Sequence, residues 1–172
     1  MENYICINGK KVELTEEQMK ALGIELPKGS PFERVEKYET YYLVDHFSGV
    51  SEVRDTRDGL DQKAFNNANY CTDKAIMEQR ALHETLNRLL WRYSMEHDGD
   101  KIDWNNYKTQ KYYVGYNYGT STYEVKRCWV LIGLGDIFFY SREIAENAIK
   151  EIVSPFVKAH PDFKWTIYGN TK

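Results

Sequence analysis

Apolar and polar positions alternate along this chain at two periods, and their order predicts where strands and helices fall. Tyr4-Ile5-Cys6-Ile7 and Lys11-Val12-Glu13-Leu14 flank Asn8-Gly9. Asn-Gly between apolar runs predicts a β-hairpin, because a type I′ turn needs positive φ at both central residues. Thr15-Glu16-Glu17-Gln18 follows directly. It matches a capping box, in which the Thr hydroxyl caps a backbone N–H and the Gln side chain reaches back. Met19, Leu22 and Ile24 add a brief apolar stripe, and Gly23 suits the C′ position of a helix. Residues 4–23 therefore read as a hairpin plus a short helix, and Pro27, Gly29 and Pro31 as a linker.

A second unit spans 32–98. Tyr41-Tyr42-Leu43-Val44 reads as a strand, Ser48-Gly49 as a turn, and Val50 to Arg54 as the returning strand. Residues 55–69 are rich in Asn, Asp and Gly and read as a loop with one short strand. Thr72 then caps a long helix, Asp73 to His97, with Ile76, Leu82, Leu86, Leu89, Leu90 and Tyr93 at helical spacing. Asp98-Gly99-Asp100 ends it.

The third unit, 108–168, repeats the second. Tyr112-Tyr113-Val114 answers Tyr41-Tyr42-Leu43 at an offset of 71, and Tyr123-Glu124-Val125-Lys126 answers Ser51-Glu52-Val53-Arg54 at 72. Phe139-Tyr140-Ser141 precedes a helix from Arg142 to Val157, as Asn69-Tyr70-Cys71-Thr72 precedes the first. That helix gathers Ile144, Ala145, Ala148, Ile149, Ile152 and Val153 on one face. Phe163-Lys164-Trp165-Thr166-Ile167-Tyr168 alternates as a closing strand would. The pattern predicts an α+β fold: an N-terminal β-hairpin and short helix, then two repeated antiparallel β-hairpin-plus-helix modules, all within one compact domain over 1–172.

Composition excludes several classes. With 42% apolar and 28% charged residues over 172 positions, the chain has the make-up of a folded domain, not of a disordered or fibrous one. The net charge of −3 is too balanced for a basic nucleic-acid coat or an acidic DNA mimic. No run of about 18 apolar residues predicts a membrane span. Met1-Glu2-Asn3-Tyr4 has no basic, then apolar, leader pattern. Cys6, Cys71 and Cys128 are widely spaced and form neither a CxxC pair nor a zinc ladder. They read as free thiols of a cytoplasmic protein.

Candidate chemistry is sparse. Asp103 followed by Glu124-Val125-Lys126 resembles metal-dependent nucleases, where carboxylates hold Mg²⁺ and a Lys stabilises charge near the attacking water. The echo at Glu52-Val53-Arg54 favours a half-solvated strand instead, with Val125 inward and Glu124 and Lys126 outward. We expect no metal, no cofactor and no cleavage. His46, His83, His97 and His160 fall outside HxxxH and HExxH spacing, and Gly133-Leu134-Gly135 lacks the third glycine of a dinucleotide fingerprint. A Cys71–His83 nucleophile–base pair has no further residue behind it.

The aromatic positions are more distinctive, with 14 Tyr among 25 aromatic residues. Tyr112, Tyr116 and Tyr118 share one strand face, Tyr113 takes the other, and Lys108, Lys111, Lys126 and Arg127 flank them. Three readings stand: a half-buried sheet face, a protein-binding hot spot, or a platform for single-stranded bases. Arg88 and Arg92 share a helix face; Glu84, four residues from both Arg80 and Arg88, makes ordinary helix ion pairs there. That strip is either solvated or an anion-binding surface. The binding set expected from sequence is Tyr112, Tyr116, Tyr118, Lys126, Arg127, Arg88 and Arg92.

The opening from Tyr4 to Gln18, the run Asn69-Tyr70-Cys71-Thr72-Asp73-Lys74-Ala75, Ile102-Asp103-Trp104 leading into Lys111-Tyr112-Tyr113-Val114, and Asp136-Ile137-Phe138-Phe139-Tyr140-Ser141 before Ile144-Ala145-Glu146-Asn147-Ala148-Ile149 resemble small proteins encoded by phages and prophages of Firmicutes. Some proteins of that size and origin are anti-CRISPR inhibitors. The resemblance implies a non-enzymatic binding protein, acting in the cytoplasm of an infected bacterium on a host defence protein, with Cas9 or its guide complex the first partner to consider. The alternatives are a single-stranded RNA-binding protein or a metal-dependent nuclease. The resemblance carries over no catalytic residues.

Overall fold

The computed structural model describes residues 4–7, 10–13, 15, 18, 29–106, 108–129 and 136–165. Strands β1 (Tyr4–Ile7) and β2 (Lys10–Glu13) pair antiparallel from Tyr4↔Glu13 to Ile7↔Lys10. That register leaves two residues for the connection, the length an Asn-Gly turn serves. The capping box is present: Thr15 N donates to Gln18 Oε1 at 2.9 Å, and Gln18 N to Thr15 Oγ1 at 3.2 Å. Asn8-Gly9, Leu14, Glu16-Glu17, the Met19/Leu22/Gly23/Ile24 stripe, Pro27, Gly133-Leu134-Gly135 and Thr166-Ile167-Tyr168 lie outside the described residues.

The fold is α+β, and two later hairpins carry the rest of it. Strands β3 (Thr40–Val44) and β4 (Val50–Arg54) pair antiparallel, as do β5 (Lys111–Asn117) and β6 (Thr122–Cys128). Each hairpin gains one bridging residue on its first strand. Tyr42 N donates to Cys71 O at 2.7 Å and Cys71 N returns to Tyr42 O at 3.0 Å. Tyr112 and Phe139 exchange the same two bonds at 3.3 and 2.7 Å. In both modules a helix cap follows two residues later, Asp73 after Cys71 and Ser141 after Phe139. The bridges equate Tyr112 with Tyr42 and Phe139 with Cys71, so the sequence repeat holds with its register moved by one or two residues.

Three helical details depart from the sequence reading, while the stop at Asp98-Gly99 agrees with it. Residues 55–69 hold no strand; they form helix α1 (Gly59–Asn66), whose cap Asp58 accepts from Leu60 N and Asp61 N while Asp61 reaches back to Asp58 N. The long helix α2 (Lys74–Glu96) is capped by Asp73, through Ala75 N and Ile76 N. Thr72 instead ties to Pro31 O. Asp98, with φ 66°, then ends the helical run, and Gly99–Lys101 makes one 3₁₀ turn. The last helix is divided into α3 (Arg142–Ala148), a π-turn (Ile149–Val153) and α4 (Ser154–Ala159). Pro155 has no N–H to give to the preceding turn, and a π-turn is one way a helix absorbs that lost bond. Finally, Phe163–Trp165 join no sheet. Gln79 on α2 grips this segment, donating to Asp162 O and accepting from Lys164 N, both at 2.8 Å.

Most of the buried apolar residues fall into two clusters. Val44, Cys71, Met77 and Ala81 pack the first hairpin against the N-terminal half of α2. Leu86, Leu90 and Tyr93 from its C-terminal half meet Phe139 and, from the last helix, Ala145, Ala148, Val153 and Phe156, and Tyr112, Val114, Tyr123 and Val125 of the second hairpin pack against this cluster. At 3.6 residues per turn, Met77 and Ala81 lie on nearly the opposite side of α2 from Leu86, Leu90 and Tyr93. One face of α2 therefore meets the first hairpin, and the opposite face meets the last helix, which in turn lies against the second hairpin.

Candidate interaction surface

The β5–β6 register decides what the Tyr-rich strand offers. Tyr112↔Arg127, Val114↔Val125 and Tyr116↔Tyr123 are opposite pairs, and opposite residues share a face. Tyr112, Val114, Tyr123 and Val125 on that face pack against the second cluster. Tyr116 sits among Tyr118, Tyr123 and Trp165, at ring centroid distances of 5.0, 5.4 and 5.8 Å. Tyr112 and Tyr116 thus serve mainly as wall. Tyr118, past the strand end, is exposed, and Tyr112 OH donates to Gln110 Oε1.

Lys126 belongs to the other face, opposite Tyr113. Its ammonium pairs with Glu124, and Glu124 also accepts from Asn117 Nδ2 at 2.6 Å. These donors hold the Glu124 carboxyl below its ordinary pKa, Lys126 first. The expected orientation of Val125 inward and Glu124 and Lys126 outward is what the structure has. Asp103 is occupied as a turn acceptor for Asn105 N at 3.0 Å. Among the described residues no cluster of three His, Cys, Asp or Glu is placed to hold a metal. Arg127 lies over the half-exposed Trp129 ring at 5.8 Å. Cys71 is fully buried in the first cluster, and burial raises its thiol pKa, whereas His83 bonds Lys164 O on the second. The structure does not join Cys71 and His83 as a pair.

The densest polar cluster escaped the sequence reading. The Asp55 carboxylate is wholly buried and accepts from Arg34 Nε at 2.8 Å, Arg34 Nη2 at 3.1 Å, Tyr70 OH at 3.0 Å and Arg57 N at 2.8 Å. The Arg34 guanidinium, above all, lowers the Asp55 pKa to about 2. Beside it, Tyr41 OH donates to buried Asp61 at 2.8 Å, and Thr56 N to the same carboxylate at 2.7 Å. The Tyr41 and Tyr70 rings stack at 4.0 Å. Among the described residues no buried side-chain N or O lacks a partner. With its lone pairs filled, this cluster pins linker, hairpin and α1 together and offers no free reactive group.

Helix α2 carries the other two expected site residues, and here the setting is open. Met95 stands eighteen residues after Met77, five turns at 3.6 residues each, so the two share a stripe. Under the first hairpin that stripe is buried; beyond it, Trp91 is 58% and Met95 45% exposed. Arg88 and Arg92 border this stretch. Arg88 reaches Ser48 Oγ in the β3–β4 turn, and Arg92 pairs loosely with Glu96 at 4.0 Å. The turn is rigid, because Asp45 Oδ1 accepts from Phe47 N at 2.8 Å and Gly49 N at 2.9 Å. It presents Phe47 at 84% exposure. A Trp, a Met and two Arg on one outward helix face, with a Phe carried by the turn that Arg88 touches, is the residue mix of protein-binding hot spots. Sequence reasoning found the arginines and missed Trp91, Met95 and Phe47.

Comparison with protein-family models, with curated proteins and with solved structures finds no match for this chain.

Proposed function

We propose that this protein works by binding another protein, without catalysis, through the outward stripe of α2 and the adjoining β3–β4 turn. The observation that carries the reading is the stripe itself: buried at Met77 and Ala81, it continues uncovered at Trp91 and Met95. Large apolar side chains gain most when a partner desolvates them, and Arg88 and Arg92 beside them suit an acidic surface on that partner. The resemblance to small phage proteins points to a host defence complex in the bacterial cytoplasm, with Cas9 and its guide complex as the partner. An inhibitor of that kind needs no chemistry, only enough complementary area to compete for a groove. The test is DNA cleavage by a Cas9–guide complex with this protein added in excess. Inhibition by the wild type, lost in Trp91→Ala, supports the reading; unchanged cleavage removes Cas9 as the partner.

A second reading, single-stranded RNA binding, draws on Arg127 over the exposed Trp129 ring. Such binding weakens steeply with salt. Salt-insensitive or undetectable binding of a single-stranded RNA disposes of it.

A further inference from the structure

A cavity of about 270 Å³ opens between α2 and the second hairpin, away from the docking stripe. Its exposed lining is mostly polar, with His83 and Asn87 from the helix and Tyr113 and Asp136 across from them, while Trp165 and the edges of the buried Leu86 and Leu90 give it an apolar part. Small-molecule sites run from about 300 Å³ upward and pair an apolar wall with a few convergent polar groups. This cavity lies just under that range, which limits an occupant to one small ring system.

The polar groups have spare capacity. The exposed Asn87 side chain makes no hydrogen bond among the described residues, so its amide has donors and an acceptor to give. His83 Nε2 bonds Lys164 O at 2.7 Å. A carbonyl partner requires the proton on Nε2, which leaves Nδ1 as a bare acceptor in the neutral ring. Burial lowers the His83 pKa and so keeps that ring neutral. Trp165 is held in place by Tyr116, Tyr123 and Phe163, at 5.8, 5.4 and 6.1 Å between ring centroids. A flat surface fixed on several sides is pre-organised for stacking.

We propose that this cavity binds a nucleobase-sized heteroaromatic ring, stacked on Trp165 and hydrogen-bonded along its edge by Asn87 and His83 Nδ1. A purely apolar ring would desolvate Nδ1 and the Asn87 amide without replacing their water, a cost a base edge avoids. A heterocycle with an N–H donor beside an acceptor satisfies both groups.

The test is a titration of ¹⁵N-labelled full-length protein with adenosine, cytidine, guanosine and uridine in turn, each at millimolar concentration. The expected result is that at least one nucleoside shifts the indole N–H resonance missing from Trp165→Phe, together with the Asn87 side-chain amide. Asn87 is exposed on its helix, so Asn87→Ala keeps the fold and should weaken that nucleoside about tenfold or more. A second arm with a single-stranded oligonucleotide separates the sources: tighter binding assigns a base within a strand, equal or weaker binding a free nucleoside. No shift at those two resonances with any nucleoside, shifts confined to Trp91, Trp104 or Trp129, an unchanged affinity in Asn87→Ala, or tighter binding of toluene than of every nucleoside overturns the proposal. The cavity shares no lining residue with the docking stripe, so the failure of one is read separately from the failure of the other.

Discussion

Replacing Asp55 by Asn probes the energetics of this fold most sharply. The wild-type carboxylate takes four hydrogen bonds from Arg34, Tyr70 and Arg57 with no exposure to water. Its pKa falls from an ordinary 3.8 to about 2. At about 1.4 kcal/mol for each pH unit, that drop stabilises the folded state by about 2.5 kcal/mol at neutral pH. Asparagine keeps the shape, loses the charge beside Arg34, and turns an NH₂ toward groups that are themselves donors. Breaking one side of a buried pair costs about 3–5 kcal/mol, and because Arg34 retains some solvent access we expect the lower end, about 3 kcal/mol. The sign with pH follows from linkage. A carboxyl depressed in the folded state stabilises fully above its unfolded value of 3.8 and loses that contribution as pH falls toward about 2. Urea denaturation of wild type and Asp55→Asn, followed by tryptophan fluorescence, should show a gap of about 3 kcal/mol at neutral pH that narrows between about pH 4 and pH 2. A gap under about 1 kcal/mol at neutral pH, or one of equal size at both ends of that window, refutes the reasoning.

Tyr41→Phe removes the hydroxyl that donates to Asp61 but keeps the ring on Tyr70; urea denaturation should show a loss of about 1 kcal/mol. At Gly99 a Cβ would lie 2.5 Å from Ser94 Oγ and 2.7 Å from Ser94 O. Backbone must move to admit it, so Gly99→Ala should cost about 1–3 kcal/mol by the same measurement; a neutral result means that the 3₁₀ turn after α2 is packed differently. Glu124→Ala should change stability by no more than about 0.5 kcal/mol, and neither it nor the wild type should degrade RNA or DNA with Mg²⁺. Mg²⁺-dependent degradation that Glu124→Ala abolishes would restore the nuclease reading.

Turn chemistry and strand alternation carried much of this fold into view. Ser48-Gly49 and the Thr15–Gln18 box are local signals, and each needs only its neighbours to act. The Asp55–Asn69 segment failed because its helix buries Asp61, a charge, where periodicity looks for an apolar residue; the Asp58–Asp61 capping spacing was the available clue. Asp55 and Arg34 are 21 positions apart, and nothing local marks a carboxylate for burial. Helix α2 misled for a different reason. Its two buried faces point opposite ways, so one search for a single stripe found the second face and passed over Met77 and Ala81 on the first. That same omission hid Trp91 and Met95, which are informative only once their stripe is known to be buried a few turns earlier. On β5, the shared face of Tyr112 and Tyr116 was legible, and so was the inward side of Val125 on β6, but the register that puts Tyr112 and Tyr116 on the same side as Val125 was not.

The central claim is that Trp91 and its neighbours form a docking surface for a defence complex. Binding of wild type and Trp91→Ala to an immobilised Cas9–guide complex tests it most directly. Trp91 is exposed, so its loss leaves the fold intact, and a hot-spot tryptophan contributes about 2 kcal/mol or more, some thirtyfold in affinity. We expect measurable binding by the wild type and at least a tenfold loss in Trp91→Ala. No binding by the wild type, or equal binding by both, contradicts the account.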